Sequence, residues 1–61
     1  MTLKEASNSI GRNVIYTPFK GCDNSLLEYG VITEVNDSYV FVRYGSNVNA
    51  QSTYPQDLEL A

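Results

Sequence analysis

Two neighbouring segments alternate between apolar and polar residues with a period of two, and they limit the fold more than any other feature. Residues 28–35 and 39–44 are rich in β-branched and aromatic side chains, and an Asn-Asp-Ser sequence at 36–38 separates them. Such alternation is typical of strands, and Asn, Asp and Ser favour a tight turn. The pattern predicts a central antiparallel β-hairpin, in which Gly30 marks a bend or bulge.

Shorter segments on either side continue the strand pattern. Residues 13–17 form a β-rich run that ends at Pro18, and residues 50–53 predict a short strand. Residues 54–58 predict one helical turn, because Pro suits the first position of a helix. Residues 59–60 remain for a last, very short strand. Five strands with one helical turn predict an all-β fold.

The N-terminal segment can be helical or extended. Thr2 and Glu5 have the spacing of a capping box, in which each side chain accepts a hydrogen bond from the other residue's backbone. Leu3, Ala6 and Ile10 fall on one face of a helix. Weak helix formers then interrupt this pattern, so we expect one or two turns of helix at most.

Alternation also assigns the two faces of the hairpin. The predicted core positions are Val31, Thr33, Val35, Val40, Val42 and Tyr44. The opposite parity places Ile32, Tyr39 and Phe41 on an outer face, where apolar side chains need a cover. Two covers are possible: the N-terminal segment, through Leu3 and Ile10, or a second molecule.

Composition excludes several kinds of chemistry. The chain has 61 residues with one cysteine and no histidine. Cys22 therefore has no intrachain disulfide partner, and it cannot build the usual zinc site. A histidine base paired with Ser or Cys is also excluded, so we expect no enzyme activity, cofactor, metal or small-molecule substrate. Because small secreted domains are normally rich in disulfides, the sequence predicts a reducing, cytoplasmic compartment. It shows no apolar run long enough for a signal peptide or a membrane span.

The charge favours a protein partner over a nucleic acid. Four Lys and Arg residues against seven Asp and Glu give a net charge of −3. Proteins bind nucleic acids mainly through contacts between cationic side chains and phosphates. Four scattered cationic residues are too few to form the basic surface that such binding requires. A basic protein or peptide fits this charge better.

Three motifs carry a resemblance to a known class of folds. Residues 28–37 contain a Gly-Val-Ile-x-x-Val strand, residues 42–47 read Val-Arg-Tyr-Gly-Ser-Asn, and residues 54–60 read Tyr-Pro-Gln-Asp-Leu-Glu-Leu. In this order they resemble SH3-like barrels, and the motifs are most similar to those of Tudor-type barrels. The resemblance covers about residues 11–60.

This resemblance implies a single domain over residues 1–61. Residues 13–60 would form a five-stranded SH3-like barrel with one helical turn before the last strand, and residues 1–12 would precede it as a short helical or extended segment. In its small size and its sequence pattern, the chain also resembles small proteins encoded by bacteriophages and prophages.

The resemblance also implies a groove between the first loop and the turn after the third strand. The candidate partner-binding residues are Tyr16, Phe19, Tyr44 and Tyr54 at this groove, and Ile32, Tyr39 and Phe41 on the outer face. Tudor barrels that bind methylated side chains use an aromatic cage. Arg43 stands where that class often has Asp, and a cation at the rim would repel a methylammonium ligand.

These observations predict a protein-interaction module without catalytic activity. It would be a phage accessory or inhibitor protein that binds a host or phage protein, or a protein that associates with itself. The alternative is a nucleic-acid-associated barrel that acts within a larger complex.

Overall fold

The computed structural model describes residues 1–18, 21 and 23–61. Its elements are α1 (Leu3–Ser7), β1 (Asn13–Tyr16), a 3-10 turn (Asn24–Leu26), β2 (Glu28–Val35), β3 (Val40–Tyr44), β4 (Gln51–Thr53), a second 3-10 turn (Pro55–Asp57) and β5 (Leu58–Leu60). The predicted hairpin, the helical turn after β4 and the short last strand are confirmed. Phe19, Lys20 and Cys22 of the predicted first loop lie outside the described residues.

The five strands form one antiparallel sheet in the order β4-β3-β2-β1-β5. The fold is therefore predominantly β, as predicted, but the sheet does not close into a barrel. Its edge strands, β4 and β5, have three residues each and offer few hydrogen bonds for closure. A 3-10 turn, Pro55–Asp57, joins them.

Helix α1 begins at the predicted capping box. The backbone N–H of Glu5 donates to Thr2 Oγ1, and the N–H of Thr2 donates to Glu5 Oε1, both at 3.1 Å. Ala6 is fully buried and Leu3 packs against the core, so the predicted helical face is confirmed for these two residues. Ile10 is 53% exposed, because the helix ends before it.

A β-bulge in β2 overturns part of the face assignment. The register pairs Ile32 with Val42, Glu34 with Phe41 and Val35 with Val40. Thr33 is the extra residue, so the parity of core positions changes there. Ile32 is fully buried in the core, and its predicted place on the outer face is wrong. Val31 is half-buried and Thr33 exposed, and their predicted core positions are wrong. Regular alternation holds only for a strand without an inserted residue.

The core shows which face of the sheet the N-terminal segment covers. It consists of Ala6, Val14, Ile32, Val40, Val42 and Leu58, all fully buried. Tyr44 and Val35 are partly buried against it. Because α1 contributes Ala6 to this cluster, the helix covers the core face. The idea that the N-terminal segment covers Phe41 on the outer face is therefore wrong.

The turn of the central hairpin is fixed by one side chain. Asn36 Oδ1 accepts hydrogen bonds from the backbone N–H groups of Ser38, at 2.8 Å, and Tyr39, at 2.6 Å. The Asn36 N–H donates in turn to the Tyr39 carbonyl at 3.0 Å. Asn commonly stabilises turns in this way, and the predicted tight turn is confirmed.

At Gly30, strand β2 has no room for a side chain beside β3. A Cβ atom at this position would lie 2.5 Å from Val42 Cγ1, 2.8 Å from the Arg43 carbonyl oxygen and 3.0 Å from Tyr44 Cδ1. Gly30 pairs directly with Tyr44 in the sheet. The missing side chain therefore leaves the space that the Tyr44 ring occupies, as aromatic residues often do beside a strand glycine.

We expect Gly30→Ala to lower the free energy of unfolding by about 1–3 kcal/mol, since a backbone oxygen on β3 cannot move aside without distorting the sheet. Urea denaturation followed by circular dichroism measures the change. Gly45→Asn is the control: Gly45 has a φ of 54°, which Asn tolerates, and no atom lies within 4 Å of its Cβ position. Equal denaturation midpoints for the two variants would contradict the packing argument.

Candidate functional site

A groove of about 490 Å³ opens at one end of the sheet. It is lined by Tyr16, Glu28, Tyr44, Asn47, Gln51, Ser52, Thr53, Tyr54 and Asp57. Helix α1 lies at the other end of β2, where Leu3 and Val35 line a separate depression. The helix therefore leaves this groove open. Its volume lies within the range of protein pockets that bind small groups or side chains. We call it the tyrosine groove, after Tyr16, Tyr44 and Tyr54.

Two of its tyrosines form the inner wall. Tyr16 ends β1 and has the parity of the buried Val14, while Tyr44 ends β3 and has the parity of Val42. Their ring centroids are 6.0 Å apart and their planes are inclined at 65°, which is an edge-to-face contact. Such pairs are favourable because the positive edge of one ring meets the negative face of the other. Both side chains are half-buried, so the wall is held by the core.

The hydroxyl of Tyr44 is anchored inside the groove. It lies 2.9 Å from Thr53 Oγ1, in a hydrogen bond that joins β3 to the edge strand β4. Burial raises the pKa of Tyr44 above its ordinary value of 10.0, and the Thr53 hydrogen bond partly offsets this rise. The nearby charge of Glu28 raises the pKa further. The phenol is therefore neutral throughout the physiological pH range.

The third tyrosine stands at the rim. Tyr54 is 54% exposed, and its ring lies 5.4 Å from that of Tyr39, inclined at 46°. This contact follows from the sheet, since Val40 pairs with Thr53 and the next residues outward are Tyr39 and Tyr54. The neighbouring Tyr39 side chain raises the pKa of Tyr54 above its ordinary value of 10.0.

The charged lining of the groove is acidic. Glu28 and Asp57 contribute carboxylates, and no Lys or Arg is present among the described residues that line it. Arg43 is exposed and adjacent to Tyr44 in β3, so alternation directs it to the opposite face. The expectation that Arg43 stands at the rim is therefore wrong. The arrangement can hold a cation between aromatic rings and carboxylates.

The structure brings together three of the four residues predicted at the groove. Tyr16, Tyr44 and Tyr54 line it, and Phe19 lies outside the described residues. Of the predicted outer-face residues, Phe41 is half-buried in β3 and does not pack on the core. Ile32 is enclosed by the core and presents no surface to a partner. Tyr39 packs on Tyr54, so the two candidate surfaces meet at this pair.

Sequence reasoning missed the polar half of the groove. Glu28 pairs with Tyr16 across the sheet, a relation that depends on the β1–β2 register. Asp57 is part of the groove lining because the second 3-10 turn directs it back towards Tyr54. Glu28 has the same parity in β2 as Gly30 and Ile32, which are both buried. Because alternation predicts Ile32 on the outer face, it does not place Glu28 beside the groove.

No group of three or more His, Cys, Asp or Glu residues in the described part of the chain is arranged to hold a metal ion. Among the same residues, no helix is both long and apolar enough to cross a membrane.

Comparison with protein-family models, curated proteins and solved structures finds no significant match to this chain. The resemblance to SH3-like barrels and to phage-encoded proteins therefore rests on the sequence alone.

The buried phenol predicts how stability depends on alkaline pH. The pKa of Tyr44 is raised on folding, so the unfolded chain loses this proton first as the pH rises past 10.0. The stability linked to Tyr44 is complete below that pH and is lost as the pH rises through the folded pKa. We expect Tyr44→Phe to flatten the alkaline fall of the unfolding free energy, measured by urea denaturation at a series of pH values.

Thr53→Val provides a variant with the opposite expected effect. The Thr53 hydroxyl lowers the pKa of Tyr44, so its removal should extend the alkaline fall of stability to higher pH. At neutral pH this variant should lose about 0.5–1.5 kcal/mol with the hydrogen bond. A Tyr44→Phe profile that parallels the parent above pH 10.0 would show that Tyr44 is not the titrating group.

Proposed function

We propose that this chain is a protein-interaction module without catalytic activity, and that the tyrosine groove binds a cationic side chain on an extended segment of a partner protein. The observation that carries the proposal is the composition of the groove. Three tyrosine rings and the carboxylates of Glu28 and Asp57 line it, and its described lining contains no cation.

Each part of this lining favours a cation. The face of a tyrosine ring attracts an ammonium or guanidinium group by about 0.5–2 kcal/mol, with the larger values where water is excluded. Glu28 and Asp57 add Coulombic attraction, which is modest at an exposed surface and weakens with salt. The net charge of −3 draws cationic partners towards the molecule as a whole. Lysine, arginine and their methylated forms share this chemistry.

The fold supports the same proposal through the resemblance. We propose that the open five-stranded sheet is a variant of the SH3-like architecture. Its motif at residues 42–47 contributes Tyr44 and Asn47 to the groove, and its motif at residues 54–60 contributes Tyr54 and Asp57. The segments that resemble Tudor-type barrels therefore border the candidate site. A phosphate backbone would be repelled by the same carboxylates, which argues against the nucleic-acid alternative.

The test is a set of fluorescein-labelled peptides that differ only in one central residue. We expect lysine, arginine and trimethyllysine peptides to bind, and the norleucine peptide to bind at least about tenfold more weakly, because norleucine keeps the aliphatic stem without the charge. Fluorescence anisotropy at a series of salt concentrations measures each affinity.

Variants on the two faces of the sheet distinguish binding in the groove from nonspecific binding elsewhere on the protein surface. Tyr54→Ala and Asp57→Asn should each weaken binding of the lysine peptide, by about threefold to thirtyfold for the tyrosine. Tyr29→Ala is the matched control, because Tyr29 is 61% exposed and is not part of the groove lining. Equal affinity for lysine and norleucine peptides would contradict the proposal. Tight binding of a single-stranded oligonucleotide with a steep salt dependence would favour the nucleic-acid alternative.

A further inference from the structure

The face of the sheet opposite the core carries apolar side chains that, in the described part of the chain, neither helix α1 nor the core covers. Ile15, Val31 and Phe41 are half-buried, yet none of them packs against the core. Each alternates with a fully buried neighbour on its own strand, which directs it outward. Helix α1 occupies the core face. We call these three residues the outer stripe.

The sheet register places the outer stripe on a diagonal. Ile15, Val31 and Phe41 stand on the adjacent strands β1, β2 and β3, and each is displaced along the strand direction from the one before it. Diagonal neighbours lie about 7–8 Å apart, within reach of large side chains. The stripe is therefore continuous across three strands.

Opposite charges flank the stripe on its two sides. Glu34 stands on β2 directly opposite Phe41, and Arg43 stands on β3 directly opposite Val31. In the lattice of these two strands, Val31 and Phe41 occupy one diagonal while Glu34 and Arg43 occupy the other. Both charged residues are exposed. The acidic side chain thus lies on one flank and the basic side chain on the other.

The next strand pair repeats this arrangement with polar groups. Asn13 stands on β1 opposite Val31, and Tyr29 stands on β2 opposite Ile15. Asn13 therefore lies on the same flank as Glu34, and Tyr29 lies on the same flank as Arg43. Both Asn13 and Tyr29 are exposed.

We propose that the outer face is the interface of a symmetric dimer of this chain. A two-fold axis along the outer stripe sets each stripe against its copy, and it places each flank against the other flank of the copy. Glu34 then meets Arg43 of the second molecule, twice by symmetry, and Asn13 meets Tyr29. An apolar centre with polar, charge-complementary flanks is the usual composition of a specific interface.

The size of the molecule sets an upper limit on this contact. Its principal extents are 29 × 24 × 17 Å, so its largest face measures about 700 Å². Two such faces bury at most about 1,400 Å² in total, near the size of standard specific interfaces. None of the three stripe residues lines the tyrosine groove, so a contact confined to the stripe and its flanks would leave both grooves open. A bivalent module would gain avidity for a partner that has repeated cationic segments.

Sedimentation velocity over a range of protein concentrations tests the proposal. We expect the parent chain to shift from monomer to dimer as its concentration rises. Phe41→Glu should leave it monomeric throughout, because a buried charge would meet its own copy. Val48→Glu is the matched control: it introduces the same charge at a loop residue that is 88% exposed, and the dimer should persist.

Charge reversal tests the relative orientation of the two copies. Glu34→Arg or Arg43→Glu alone should raise the dimer dissociation constant by about tenfold, since each variant replaces two attractive pairs with repulsive ones. The double variant should restore the parent value. A monomer at every concentration would overturn the dimer. Single variants with unchanged dissociation constants, or a double variant without restoration, would overturn the proposed interface.

Discussion

The single extra residue in β2 is the constraint on which the rest of the structure depends. β2 is the central strand, and the bulge at Thr33 lets it present Ile32 and then Val35 to the same core. A regular strand would direct one of the two to solvent and leave the core short of a large side chain. The bulge also increases the local twist of the strand. The same insertion places both Val31 and Glu34 on the outer face.

Alternation along β3 then places consecutive side chains in different environments. Val42 enters the core, Arg43 projects from the outer face, and Tyr44 lines the groove. Three consecutive residues thus belong to three different environments. Gly30 makes this possible, because its missing side chain admits the Tyr44 ring beside β2. Strand β3 therefore contributes to both surfaces, through Tyr44 in the groove and Phe41 in the outer stripe.

The sequence predicts the secondary-structure elements better than it predicts which face of the sheet each side chain occupies. Strong β-branched and aromatic runs, an Asx turn and a capping box act locally, so the strands, the turn at Asn36 and the start of α1 follow from the residues alone. The position of the bulge depends on packing between strands, and alternation misplaces Ile32 for that reason. The groove tyrosines follow from the resemblance. Glu28 and Asp57 are brought to them by long-range register and by the second 3-10 turn, which periodicity does not contain.

The order of the strands has a consequence for how the chain folds. Asn36 closes a hairpin whose innermost pair, Val35 and Val40, is separated only by the turn, so β2 and β3 form at little entropic cost. The pairing of Val14 with Leu60 instead joins strands that are far apart in the sequence. It must close a long loop, which costs more conformational entropy. We therefore expect a folding nucleus in the hairpin, with β5 added after the rate-limiting step. Weakened packing at Leu58 would then accelerate unfolding and leave the folding rate almost unchanged.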